Sequence, residues 1–251
     1  MNIALIGYGK MGKLINELAP FYSLKIVKII DVDNKEEIKD LNKFPVDVAV
    51  EFTEPTQATQ NIIECFKQNI PVVCGTTGWY DELNIVKEAC SKYKGALVYS
   101  PNFSISILLL KKIVNFFLDS LNVFPEKFNF SISETHHLQK KDYPSGTAIS
   151  FAQIILNKNY KEYKTYKAFL NPENEMVQQN ETILPIFSYR KENLIGTHLI
   201  KAYNNNEEII FTHIAKNRKI FIEGIVLSIF FIVKNKGIYT FEEVVNRLYN
   251  F

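Results

Sequence analysis

Over its first hundred residues this chain repeats one pattern: a short apolar run, then a polar-faced helical stretch. Strands are expected at Ile3–Ile6, Lys25–Asp31, Val46–Glu51, Pro71–Cys74 and Leu97–Ser100. Helices are expected between them at Met11–Ala19, Thr56–Lys67 and Tyr80–Ser91. Strands that alternate with helices have one compact solution, a parallel sheet covered on both faces. With 251 residues and 47% hydrophobic content, the chain has enough apolar side chain for one large domain or two modest ones.

The first strand runs straight into Gly7-Tyr8-Gly9-Lys10-Met11-Gly12, which fits G-x-G-x-x-G and opens the first helix. In such a loop the first glycine permits a tight turn. The second lets a pyrophosphate approach the backbone, and the third lets helix and strand pack closely. The helix start then offers N–H groups and the positive end of the helix dipole to phosphate. The pattern alone is weak, because glycine-rich turns are common. Its context strengthens it: the second strand ends at Asp31, 19 positions after Gly12 (31 − 12), where an acidic residue can bind a ribose 2′-OH. A carboxylate there repels a 2′-phosphate, so NADH is favoured. Lys10 and Lys35 keep NADPH possible.

Beyond residue 103 the alternation stops. A helix is expected over Ser104–Phe117, a strand over Lys127–Ser133 and a helix over Thr147–Leu156. Lys158–Gln179 reads as an irregular strand or loop. Thr197–Tyr203 and Glu207–Ala215 flank Asn204-Asn205-Asn206 as a β-hairpin, so this middle part reads as antiparallel. Helices return at Glu223–Val233 and after Thr240, where Thr240-Phe241-Glu242-Glu243 forms a capping box. The expected divisions are 1–103, 104–219 and 220–251.

The middle part holds the densest chemistry, Ser133-Glu134-Thr135-His136-His137-Leu138-Gln139-Lys140-Lys141-Asp142-Tyr143-Pro144-Ser145-Gly146-Thr147-Ala148. It contains two of the four histidines, a lysine and a turn leading into a helix. His136 is a proton donor suited to neutral pH. Lys140 can compensate developing negative charge. Ser145, Gly146 and Thr147 at a helix start suit a carboxylate. The bland reading is a polar loop followed by an N-cap. No metal is expected, since no carboxylate or cysteine stands at convincing ligand spacing to the pair. His198 and His213, on the hairpin, read as structural or sheet-interface residues. Arg190 and Arg218 are cations that the sequence cannot place.

Composition excludes other classes. The +2 net charge gives no basic face for nucleic acid. The three cysteines, Cys65, Cys74 and Cys90, form neither a disulfide framework nor a zinc motif. The longest apolar run, Ile225–Val233, is far short of the ~20 residues that span a bilayer. The opening segment lacks a basic, cleavable leader pattern. A cytoplasmic protein without membrane partners is expected.

Taken in order, the G-x-G-x-x-G loop, Glu51-Phe52-Thr53, Gly75-Thr76-Thr77-Gly78, Asn102-Phe103, the Glu134–Ala148 signature, Gly196-Thr197-His198 and Thr212-His213 resemble the dihydrodipicolinate reductase family over nearly the whole length. The resemblance implies an α/β Rossmann-like dinucleotide-binding domain completed by the C-terminal helices. It also implies a central α+β substrate domain whose mixed or antiparallel sheet mediates a homotetramer. It implies NAD(P)H-dependent reduction of a cyclic imine dicarboxylate in diaminopimelate and lysine biosynthesis. By the same resemblance His136 and Lys140 are catalytic, and His137, Ser145, Gly146 and Thr147 meet substrate. Cofactor contacts would be Gly7, Tyr8, Gly9, Lys10, Met11, Gly12, Asp31, Gly75, Thr76, Thr77, Ser100, Pro101, Asn102 and Phe103. Glu51 stands where the family usually has Asp, and Gln139 where it often has His. Two other readings stay open on the bare residues. One is another Rossmann dehydrogenase of an amino-acid-derived substrate, and the other is a catalytically silent NAD-binding protein.

Overall fold

A computed structural model describes residues 1–121, 128–140, 142–158, 163–173, 182–192 and 194–249. The chain divides into two units, Met1–Ser104 with Lys219–Phe251, and Ile105–Arg218.

The first unit is built on a six-stranded sheet: β1 (Asn2–Ile6), β2 (Lys25–Ile30), β3 (Val48–Glu51), β4 (Val72–Cys74), β5 (Ala96–Tyr99) and β11 (Gly237–Thr240). Their order is β11-β5-β4-β3-β1-β2, and every pairing is parallel. Helices α1 (Lys10–Leu18), α2 (Pro55–Lys67) and α3 (Leu83–Tyr93) connect the early strands. A short-turn helical stretch, Val32–Lys43, replaces a helix between β2 and β3. Strand alternation sends Ala4, Ile6, Ala49, Val72, Cys74 and Leu97 into one core with Ala58, Ile62 and Phe66 of α2 and Val86 of α3. Helix α6 (Ile222–Ile232) packs on β4 and β5. It can come close because Gly224 leaves room for the carbonyl of Phe103. Helix α7 (Phe241–Tyr249) opens on the expected capping box: the Thr240 N–H donates to Glu243 Oε2 at 2.7 Å, and the Glu243 N–H donates to Thr240 Oγ1 at 3.2 Å.

The second unit carries β6 (Asn129–His136), β7 (Thr165–Leu170), β8 (Ile183–Arg190), β9 (Gly196–Tyr203) and β10 (Glu208–Ala215), in the order β10-β9-β6-β8-β7. The sheet is mixed. The β9–β10 hairpin and the β6–β9 pair are antiparallel, whereas β6–β8 and β7–β8 are parallel. Helices α4 (Ile105–Leu121) and α5 (Gly146–Asn157) cover one face. There Val114 and Leu118 of α4 and Phe151 and Ile155 of α5 meet Phe130, Ile132, Leu184, Ile186, Ile200 and Ala202. Burying each such Phe or Ile contributes roughly 1.5–3 kcal/mol.

One sequence expectation changes here, and one left open is decided. The strand expected to stop at Ser133 runs on to His136, so His136 lies on a strand and not in the following loop. Of the mixed and antiparallel sheets left open for the middle part, the mixed one forms: the expected hairpin is antiparallel, while β7, within the stretch read as an irregular strand or loop, and β8, which had no expected counterpart, add in parallel. Lys127 and much of 158–179 lie outside the described residues, although β7 falls within the latter span. Among the described residues no helix is long and apolar enough to cross a membrane.

Candidate active site

Three neighbouring strands of the second unit change character at the same end and on the same face. Side chains two apart share a face of a strand. On β6 the buried set runs Phe130, Ile132, Glu134, His136. On β8 it runs Leu184, Ile186, Ser188, with Arg190 following, and on β9, read backwards, Ala202, Ile200, His198, Gly196. The register puts Ile132 between Ile186 and Ile200, and Glu134 between Ser188 and His198, while His136 faces Arg190. The helix-covered apolar core therefore ends in a layer of ionisable groups.

Glu134 is fully buried at the centre of that layer. Its Oε2 lies 2.5 Å from His136 Nδ1. Its Oε1 accepts the Ser145 N–H at 3.2 Å and Arg190 Nη1 at 3.4 Å. Burial opposes its ionisation, but the hydrogen bond and charge at His136, with help from Ser188 and Ser145, outweigh it and hold the carboxyl down at about 2.

Ser145 caps α5, and its Oγ accepts the Ala148 N–H at 3.2 Å. The hydroxyl hydrogen is then left for His198 Nε2, 3.1 Å away. His198 is pushed down to about 3, mainly by burial and then by the nearby His136. It is therefore neutral at physiological pH and accepts that hydrogen. Its ring meets His136 edge-on, with centroids 5.1 Å apart. Gly196 is needed beside them, since an added Cβ would stand 2.9 Å from His136 Nε2.

The loop after β6 is held by Arg190. Its Nε donates to the Lys140 carbonyl at 3.2 Å and its Nη2 to the Asp142 carbonyl at 2.8 Å. Lys140 Nζ pairs with Asp142 at 2.6 Å. Gly146 begins α5 in open space, with nothing within 4 Å of an added Cβ, and Thr147 follows it half-buried. This helix start can receive a carboxylate. His136, Ser145, Gly146, Thr147 and the loop bearing His137 and Lys140 thus gather around the end of β6. Sequence reading missed Glu134, Arg190 and His198 as members. His198, expected as a structural or sheet-interface residue, stands inside the cluster, whereas His213 sits opposite it on β10 and contacts Ser106 Oγ at 3.0 Å. Strand alternation also brings a carboxylate, Glu134, directly to His136. Glu134, His136 and His198 offer three ligand atoms within 4.8 Å of one another. Two ligands each about 2.0 Å from an ion would stand near 3 Å apart, whereas at 2.5 Å Glu134 and His136 meet each other directly.

In the first unit the strand order reverses between β1 and β3, the point where open α/β sheets bind ligands. The turns after those strands touch. Gly7 has φ +93°, and an added Cβ would stand 2.1 Å from the Phe52 carbonyl oxygen. An added Cβ at Gly9 would have nothing within 4 Å, and α1 starts without a side-chain cap, so the N-terminal end of the helix is open. Tyr8, Lys10, Met11 and Gly12 follow in that loop and first turn. Gly75, Thr76 and Thr77 follow β4, and Ser100, Pro101 and Asn102 follow β5, at the same sheet end. Asp31 is exposed after β2, where its N–H donates to Asn34 Oδ1 at 2.8 Å. Thr76 Oγ1 accepts the Thr53 N–H at 2.8 Å, and the Phe103 ring packs on Phe241 with centroids 5.2 Å apart. Trp79 is buried in the core of this unit.

Two family models match the chain, "Dihydrodipicolinate reductase, N-terminus" over residues 1–103 and "Dihydrodipicolinate reductase, C-terminus" over residues 106–245. The chain belongs to the dihydrodipicolinate reductase family. It is 39% identical to the 4-hydroxy-tetrahydrodipicolinate reductase of Christiangramia forsetii over 249 residues, covering 99% of each chain. It is 30% identical to the enzyme of that name from Archaeoglobus fulgidus, covering 97% of this chain and 99% of that one. Its fold is similar to dipicolinate-bound dihydrodipicolinate reductase from Paenisporosarcina sp. TG-14, with a TM-score of 0.74 and 24% identity over 96% of this chain and 97% of that one. The family and its Rossmann-like first unit make this an oxidoreductase dependent on a pyridine nucleotide.

Proposed function

We propose that the protein reduces 4-hydroxy-tetrahydrodipicolinate to tetrahydrodipicolinate in diaminopimelate and lysine biosynthesis, with NADH favoured over NADPH. The observation that carries this reading is the Glu134–His136 pair beside the open start of α5. One supplies a held proton and the other a seat for a carboxylate. A bound nicotinamide supplies the hydride, which no side chain can do. The open Gly9 and uncapped α1 suit its pyrophosphate, and Asp31 suits an unphosphorylated ribose.

Loss of the substrate hydroxyl as water, assisted by Lys140, leaves a conjugated imine. Hydride addition at C4 then places enamine character on C3, and His136 gives C3 its proton. Gly146 and Thr147 hold one substrate carboxylate at the start of α5, with His137 as a further contact. The enzyme is expected to work in the cytoplasm as a homotetramer built through the second unit's sheet. Exposed Ile210 and Ile214, on the face of β10 turned away from the helices, support that assembly.

The test is oxidation of NADH and of NADPH with substrate made in situ by the preceding synthase from pyruvate and aspartate semialdehyde. Turnover that depends on the synthase is expected. His136→Ala and Lys140→Ala should each lower it strongly while NADH affinity stays near wild type. Asp31→Ala should shift the cofactor ratio toward NADPH. NADH binding without turnover would instead favour a silent binder.

A further inference from the structure

Glu134 does more than the proposed chemistry strictly asks of a neighbour. Its Oε2 faces His136 Nδ1 at 2.5 Å, and that ring nitrogen makes no other hydrogen bond among the described residues. The second oxygen, Oε1, holds the Ser145 N–H and Arg190 Nη1. One carboxylate thus joins the imidazole, the start of the helix that seats a substrate carboxylate, and the guanidinium that holds the Lys140 and Asp142 carbonyls. The other ring nitrogen of His136, Nε2, lies on the side left bare by Gly196.

We propose that Glu134 is a positioning residue: it keeps a proton on His136 Nδ1 throughout the cycle, so that Nε2 alone exchanges a proton with substrate. The inference rests on the reading of His136 as proton donor. When the enamine electron pair takes the Nε2 proton, a C–H bond forms and the imidazolium becomes the neutral Nδ1–H form. Water then restores the Nε2 proton. The carboxylate stabilises the charged form and fixes the tautomer of the neutral one, so the ring never needs to turn between cycles.

Other groups around the ring fit this assignment. On β8, Arg190 faces His136 in the register but spends its donors on Glu134 and on backbone carbonyls. On β9, His198 accepts from Ser145 and does not compete for Glu134. In the loop, Lys140 is paired with Asp142. From α5, Ser145 reaches Glu134 through its N–H.

The experiment combines spectroscopy and kinetics on the full-length protein. Nitrogen-15 NMR of histidine-labelled wild type, assigned with His136→Asn, should show neutral His136 carrying its hydrogen on Nδ1. An Nε2–H tautomer would overturn the proposal even if no Glu134 variant folded. Glu134→Gln should lower kcat about 10–100-fold and move the alkaline limb of the kcat–pH profile to lower pH, with KM for NADH within twofold. Glu134→Asp should recover part of kcat. Glu134→Gln with wild-type kcat and pH profile refutes the positioning role. A fully active His136→Ala refutes the donor reading beneath it, whereas an inactive His136→Ala beside an unaffected Glu134→Gln refutes Glu134 alone.

Discussion

Acid should weaken the second unit well above the pH at which carboxylates protonate, and His198 is the reason. Burial first, and the charge of His136 second, push its imidazole from an ordinary 6.5 down to about 3. The folded state therefore prefers neutral His198, whereas the unfolded chain takes up a proton below 6.5. The stabilisation is complete above that value and is lost as pH falls from 6.5 toward 3. Each pH unit inside the window costs about 1.4 kcal/mol, so reaching about pH 5 costs about 2 kcal/mol. Little screening discount applies, because His198 is only 5% exposed. In urea this loss moves a midpoint by about 1 M, taking a slope of about 2 kcal/mol per M. The assay is urea denaturation at about pH 7 and pH 5, followed by far-UV circular dichroism, with fluorescence of Trp79 reporting the first unit separately. His198→Gln removes the titration and keeps an acceptor for the Ser145 hydroxyl. His213 is also lowered by burial and contributes in the same window, but equally in both proteins. Glu134, held near 2, adds a loss only below its ordinary 4.5. Wild type should lose about 2 kcal/mol more than His198→Gln over that interval. Equal losses would show that His198 is not held neutral by its surroundings.

Gly7→Ala places a Cβ against the Phe52 carbonyl at a positive φ, and should cost about 1–3 kcal/mol of stability and weaken NADH binding when measured by denaturation and titration calorimetry. Gly196→Ala drives a methyl group into the His136 ring; kcat should fall at least tenfold with NADH affinity unchanged, and wild-type kcat would mean the ring has room to move. Arg190→Met frees the Lys140 and Asp142 carbonyls and leaves Glu134 one donor short, so KM for the dicarboxylate should rise severalfold and thermal stability should drop by about 1–3 kcal/mol, read by steady-state kinetics and calorimetry.

The parallel sheet of the first unit was legible because each early strand is an unbroken apolar run, which burial on both faces requires. Strand β11 was not. Its four residues carry little signal, and its partner β5 lies some 140 positions earlier. Strand β8 was hidden by Pro185, a residue that argues against a strand with neighbours on both sides. Without β8, Arg190 had no address. The His-His signature pointed to His136 and to the helix start through Ser145. Glu134 was in the same signature, but its role needs the two-residue period of β6 carried past Ser133. His198 was visible as a hairpin residue; placing it at the site also required the pairing of β9 with β6, a long-range contact that local patterning does not encode.

The return of the last thirty residues to the first unit has a consequence for biosynthesis. While the chain is being made, β5 has no partner on its outer side, and the face of β4 and β5 later covered by α6 is bare. A nascent chain of that length presents a sticky edge and an apolar surface, and chaperones recognise both. The nucleotide-binding unit can therefore close only after the whole second unit has left the ribosome. Early termination anywhere between Ser104 and Lys219 should yield aggregation-prone fragments, not a smaller working domain.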